Sequence, residues 1–251
     1  MKKLPIILLL MLFAANALAA VPAGKDVTTA PDTYYSTTAD ALDSLALLPP
    51  PPAYDSILFL QDKAMYEQGL TLRATERGKM AELDAVSAKV AESLSEAFGC
   101  GINERDTPEI HALIKHLRGE LGELATRAAK QKYYRVRPYV LYGTGTCYPK
   151  DEERLRANGS YPSGHSARGW AVALILAEIN PQCKERILKR GYEMGQSRVI
   201  CGYHWQSDVD AGRLVGSAAV AALHSNAAFM QQLQKAKAEF AKLAAAGKIA
   251  K

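Results

Sequence analysis

The sequence predicts an all-α fold, a single-domain helical bundle, and three observations carry that prediction. One is a capped, strongly periodic helix. Thr107 is a good N-cap, Pro108 suits the first helical position, and Ile110, Leu113, Ile114, Leu117, Leu121, Leu124, Ala125 and Ala128 recur along one buried stripe. A second is the run Trp170 to Ile179, apolar on almost every face, as a helix at the centre of a bundle must be. The third is negative: no stretch longer than a few residues alternates polar and apolar side chains as a half-buried strand would, and no internal repeat is present.

In chain order, residues 1–20 read as a signal peptide. Lys2 and Lys3 form a basic end, Ile6 to Leu12 is an apolar run too short to span a bilayer, and Ala17-Leu18-Ala19 is a small-x-small cleavage pattern. Export implies an oxidising compartment, the periplasm in a Gram-negative cell. The formal charge of +5 falls to +3 once the two leader lysines go, too small and dispersed an excess to indicate nucleic acid. No later apolar run is long enough for a membrane span, so no membrane partner is expected. Residues 21–56 form a Thr-, Ser- and Pro-rich segment ending in Pro49-Pro50-Pro51-Pro52. It is expected to be an extended arm, with Tyr34, Tyr35 and Leu45 to Leu48 docking it onto the domain.

The helical domain then occupies 57–251. Helices are expected over 57–73 and 77–98, the second closed by Gly99. The helix begun at Pro108 should run to about Arg137, where Pro138 ends it. Lys130 and Arg137, seven residues apart, would then share a face as an anion clamp; the alternative is a solvated basic face, to which Lys132 and Arg135 also belong. Residues 139–161 are loop-rich. A buried helix follows Ser163-Gly164-His165 and stops at Asn180-Pro181, and another covers 182–195. A small-residue helix after Asp208 and an amphipathic one through Phe229, Leu233, Ala236, Phe240 and Leu243 complete the chain. His111 and His116 read as exposed polar residues.

Chemistry concentrates in Ser197 to Asp208, where a fixed cation (Arg198), an imidazole (His204) and a carboxylate (Asp208) meet. An Asp that accepts the proton of one ring nitrogen fixes the tautomer and leaves a lone pair on the other. Either a helix already runs through both residues, or it starts after His204, with Ser207 and Asp210 as a capping box; the sequence leaves both open. Taken alone, the pair reads more readily as an ordinary histidine with an incidental acid nearby. The other segments decide against that. Ser163 and Gly164 precede a helix whose free N–H groups and dipole suit an anion, with His165 at the same point. Three cations gathered without an anion repel one another and lose water. A phosphate dianion among them reverses the balance, since a contact at about 4 Å is worth up to about 4 kcal/mol per charge pair at an effective dielectric near 20, before desolvation. The histidines can then divide the work, a neutral His204 attacking phosphorus and a protonated His165 releasing the alcohol. Lys and Arg neutralise the developing charge, so no metal or other cofactor is expected.

Lys130-x6-Arg137-Pro138, Pro162-Ser-Gly-His165 and Ser197-Arg198-x5-His204-x3-Asp208 together resemble the three-part signature of the phosphatidic-acid-phosphatase/vanadium-haloperoxidase superfamily. The leader, the Leu-Pro-Pro-Pro-Pro arm and Gly195 to Asp208 further resemble bacterial class A non-specific acid phosphatases. The resemblance implies a helical fold of that type, a periplasmic, metal-independent phosphomonoesterase with His204 as nucleophile, and phosphate binding by Lys130, Arg137, Ser163, Gly164 and Arg198. It also implies phosphotransfer to alcohols such as nucleosides and a homo-oligomer, with phosphate or vanadate as inhibitors. A haloperoxidase, a membrane lipid phosphatase, a phosphate-binding protein and a Ser163 hydrolase are weaker alternatives, the last because the Gly-x-Ser-x-Gly elbow is missing. Four cysteines allow three pairings. Cys147 and Cys201 each lie near a motif that must converge on one phosphate, which favours Cys147–Cys201 and leaves Cys100–Cys183 by elimination.

Overall fold

Twelve α-helical segments, α1 to α12, are joined by π and 3-10 turns in the computed structural model, which describes residues 35–36, 41–86 and 89–250. The expected signal peptide and Tyr34 lie outside the described residues, which contain no strand. All of them belong to one compact unit, Pro31–Lys251. No helix among them is long and apolar enough to cross a membrane.

Over its described residues, 35–36 and 41–56, the arm is docked but not uniformly extended. Asp43 caps a short helix α1 (Ser44–Leu47), its side chain accepting the Leu45 N–H at 2.8 Å. Tyr35 packs on His116 and Phe229 with ring centroids 5.4 and 5.5 Å away, so His116 is half-buried rather than a bare surface residue. Leu48 is buried, but Leu45 is turned to solvent. Tyr161 donates its hydroxyl to the Pro49 carbonyl at 3.0 Å, seating the proline run.

Helix α2 is Ile57–Leu72. The single helix expected over 77–98 is two, α3 (Glu76–Ala85) and α4 (Val90–Phe98), the latter closed by a left-handed Gly99 as predicted. Helix α5 (Pro108–Gly119) carries the predicted stripe, then passes into a π turn, Glu120–Leu124, marked by the Ala125 N–H bond to Glu120 O at 3.0 Å. The extra residue in that turn rotates everything after it, which is why Ala129 is buried where the stripe called for Ala128. Helix α6 (Arg127–Tyr133) ends on Tyr134 in the left-handed region, φ 40°. The helix therefore stops four residues before the expected boundary. Arg137 is not two turns along from Lys130; it is the extended N-cap of a separate helix, α7 (Pro138–Tyr142). The loop-rich stretch holds one more short helix, α8 (Glu152–Arg156).

Helices α9 (Gly164–Ile179), α10 (Lys184–Ile200) and α11 (Gln206–Leu223) form the centre, and α12 (Ala227–Ala245) packs on α5. Helix α10 runs five residues beyond the expected 195 and so carries Arg198 in its last turn. The start of α9 is wedged between the π turn and α11 at backbone distance. A Cβ at Gly164 would lie 2.2 Å from Gly122 O, and one at Gly212 would lie 2.5 Å from Ser163 O. Only glycine permits that approach.

A Cys147–Cys201 disulfide ties the 143–148 loop to the end of α10. Cys100 and Cys183 are free thiols, so pairing by elimination fails: the Cys183 Sγ accepts from Arg186 Nη2 at 3.2 Å, and Cys100 packs against the core.

Candidate active site

The predicted residues come from six places in the chain: α6 (Lys130), the N-cap of α7 (Arg137), the start of α9 (Ser163, Gly164, His165), the last turn of α10 (Arg198), the following turn (His204) and the first turn of α11 (Asp208). Their meeting is arranged largely by backbone. Lys130 Nζ and Arg137 Nη2 both donate to Gly159 O, at 2.9 and 3.2 Å. Arg137 also donates to the carbonyls of Leu155, Asn158 and Tyr203, and its Nη1 lies 3.1 Å from His204 Nε2. The Ser163 N–H donates to Asp208 O at 2.8 Å, joining α9 to α11.

Helix α11 starts after His204, which resolves the alternative left open above. Trp205 rather than Ser207 is the N-cap, and its N–H donates to Asp208 Oδ2 at 2.9 Å. Asp208 is fully buried with its Oδ2 3.5 Å from His204 Nδ1, an ion-pair distance but not a hydrogen bond. Its other oxygen accepts from Arg135 Nη1 at 2.7 Å, and Arg135 Nη2 donates to Asp62 Oδ2 at 2.8 Å. Asp62 in turn accepts from the N–H and hydroxyl of Ser207 at 2.8 and 2.6 Å. Sequence reasoning missed this buried chain. In the sequence Arg135 counts only toward the alternative of a solvated basic face, whereas it is 5% exposed between two carboxylates. The left-handed turn at Tyr134 is what moves it inward.

Ser163 caps α9. Its Oγ accepts from the Ser166 N–H and hydroxyl, leaving its own proton to donate. The N–H groups of Gly164 and His165, in the first turn, have no carbonyl of their own helix to bind. Arg198 is 1% exposed, its guanidinium lies 4.1 Å over the Tyr203 ring, and none of its three nitrogens has a hydrogen-bond partner among the described residues. Burial lowers its pKa to about 9, helped by the charges of Arg137 and Arg168. Lys130 is pushed well below the ordinary lysine range by burial and then by Arg137, against the pull of Asp208. Both histidines lie well below the ordinary value of 6.5: His204 through burial and then Arg137, Lys130 and Arg198, and His165 through burial and then Arg198, Arg168 and His204. The site is a concave set of cations around two neutral imidazoles, electrostatically suited to an anion and costly without one.

Comparison with known proteins agrees with that chemistry. Residues 120–231, from the π turn into α12, match the PAP2 superfamily model. The chain is 60% identical to a non-specific acid phosphatase of Providencia stuartii over 243 residues, 94% of this chain and 98% of the relative. It is 46% identical over 202 residues to one from Salmonella typhimurium, covering 80% of this chain and 81% of that one. The chain belongs to the PAP2 superfamily. An acid phosphatase of Zymomonas mobilis is 39% identical over 203 residues, 80% of this chain and 76% of its own. Within the superfamily match fall Lys130, Arg137, Ser163, Gly164, His165, Arg198, His204 and Asp208; Asp62 lies outside it.

Proposed function

We propose that this PAP2-superfamily enzyme, an acid phosphatase, hydrolyses a broad range of phosphomonoesters without a metal, through a phosphohistidine on His204. The observation that carries the reading is Arg198: a buried guanidinium with no hydrogen-bond partner among the described residues, beside Lys130, Arg137 and two neutral histidines, needs an anion. A phosphate placed there takes charge-assisted hydrogen bonds from Arg198 and Lys130 and from the first turn of α9. Its oxygens also compete for the Arg137 N–H now directed at His204 Nε2, which frees that lone pair. Nε2 then forms a bond to phosphorus as the ester P–O bond breaks, and the departing oxygen takes a proton from His165. In the second half, water attacks phosphorus, His165 takes the water's proton, and the P–N bond breaks to release phosphate and neutral His204. Asp208, held in place by Arg135, faces His204 Nδ1 and stabilises the positive charge that the ring gains on phosphorylation.

The depressed pKa values fit the two roles. His204 stays neutral to attack, and His165 needs the dianion to regain its proton, so turnover favours mildly acid pH. Hydrolysis of p-nitrophenyl phosphate at about pH 6 should survive EDTA and stop with vanadate. Rapid quenching with labelled substrate should place label on His204, and His204→Ala should lose it together with on the order of 10^4-fold or more of kcat. Label retained elsewhere would refute the assignment.

An alcohol entering in place of water would receive the phosphoryl group, which a product assay with a nucleoside acceptor measures. Export to the periplasm follows the leader, and N-terminal sequencing of the secreted protein tests it. For a homo-oligomer, support comes from the exposed Ile57, Leu58 and Leu60 at the start of α2, and light scattering decides it.

A further inference from the structure

Against His165, in the wedge between α9, α10 and the α3–α4 region, lies a cavity of about 10 Å³, room for one water. Asp84, Val86, Val90, His165, Arg168 and Met194 line it. Two of those six contribute a buried nitrogen with no hydrogen-bond partner among the described residues, His165 Nε2 and Arg168 Nη1. Arg168 is 6% exposed; its Nε donates to Arg118 O at 2.9 Å, and its Nη2 lies so near Gly122 that a Cβ built there would come within 2.0 Å of it. Asp84 accepts from both terminal nitrogens of Arg190 and, at 2.6 Å, from Ser197 Oγ. Three of about four lone-pair sites on its carboxylate are thereby used.

We propose that one buried water in this cavity accepts from Arg168 Nη1 and His165 Nε2–H and donates to Asp84, so that Asp84 and Arg168 are positioning residues for His165. The proposal rests on His165 acting as the acid and base of the reaction above. Its chemical content is a tautomer. His165 is part-buried as a whole while Nε2 is enclosed, so Nδ1 is the nitrogen on the ring's open side. A general base needs a lone pair there, which requires the remaining proton to sit on Nε2 with an acceptor behind it. The water is that acceptor. When the imidazolium gives its Nδ1 proton to the leaving oxygen, Nε2–H stays bonded to the water, and Nδ1 is left poised to deprotonate the attacking water. His165 and His204 then each have a carboxylate behind the ring, Asp208 facing His204 Nδ1 at 3.5 Å and Asp84 reaching His165 through water.

The titratable and charged groups that act on His165 are Arg198 on α10, Arg168 on its own helix, His204 on the turn after α10 and Arg137 at the start of α7, and Asp84 on α3 lines the same cavity. Removing the Arg168 cation favours the charged ring. Arg168→Met should move the alkaline limb of the kcat/KM profile up by about 0.5 to 1 pH unit, whereas Arg168→Lys, which keeps the charge, should leave it nearly in place. A high-resolution crystal structure of the full chain should show a water within hydrogen-bond distance of Nε2, Nη1 and the Asp84 carboxylate. Ring nitrogen NMR should report Nε2–H in the wild type and a mixed tautomer in Arg168→Met. A dry cavity, or a variant whose melting temperature changes while pH profile and tautomer do not, would overturn the proposal. Neither the crystal nor the NMR readout uses turnover. Separately, His165→Ala should slow alkyl phosphates far more than p-nitrophenyl phosphate, and equal slowing of both defeats the acid role without touching the water.

Discussion

All three guanidinium nitrogens of Arg198 are without hydrogen-bond partners among the described residues, in a side chain that is 1% exposed, and the charges of Arg137 and Arg168 act in the same sense as burial. In the phosphate-free fold such a cation has only the face of the Tyr203 ring, 4.1 Å away, to offset the loss of its water. Replacing a buried ion by an apolar residue of similar volume is often stabilising by about 1 to 4 kcal/mol. Arg198→Met should therefore melt higher than the wild type in phosphate-free buffer while losing about 10^2- to 10^3-fold in kcat/KM. A variant that melts lower would show the charge to be compensated within the fold. Arg198, His204 and Asp208 were legible in the sequence because their spacing is local to one segment. Arg135 was not, because its burial depends on a left-handed residue, Tyr134, at a position where no glycine marks the turn. The sequence placed Arg135 on the face of a helix that had already ended.

At the scale of elements, α2 bears no recognisable motif, yet Asp62 anchors it to the first turn of α11 through Ser207 and to Asp208 through Arg135. Removing one member of a buried ion pair leaves its partner uncompensated and costs about 3 to 5 kcal/mol. Asp62→Ala should lower the urea midpoint accordingly and reduce kcat, since Asp208 then holds Arg135 alone; an unchanged midpoint would mean that solvent or another acid takes over. Helices α5, α9 and α12 were readable because the stripes of α5 and α12 and the all-round apolar run of α9 are local patterns; Ser163 and Asn226 cap α9 and α12, whereas Thr107 stands at the N-cap of α5 without a side-chain bond to its helix. The π turn and the break between α3 and α4 were not, since tertiary packing imposes them against a helical pattern that continues through both.

For the molecule as a whole, stability and ligand are linked through protons. Both histidines have folded pKa values well below 6.5, so below that pH the unfolded chain binds protons that the folded chain refuses. Their contribution is complete above about pH 6.5 and is lost as the pH falls toward the folded values. A bound phosphate reverses the preference by favouring the charged cluster. Phosphate at about 100 times its Kd adds about 2.7 kcal/mol, and because affinity should rise as the histidines gain protons, a fixed phosphate concentration should raise the melting temperature more at pH 5.5 than at pH 7.5. An increment that does not vary with pH would sever that link. The close approach at Gly212 adds a mechanical corollary. His165 and His204 ride on two helix starts that touch main chain to main chain, with no intervening side chain to act as a cushion. One methyl group inserted there, against the carbonyl of Ser163, would reach both histidines as displacement, so variation in what the enzyme accepts has to come from its rim and not from the spacing of its reactive pair.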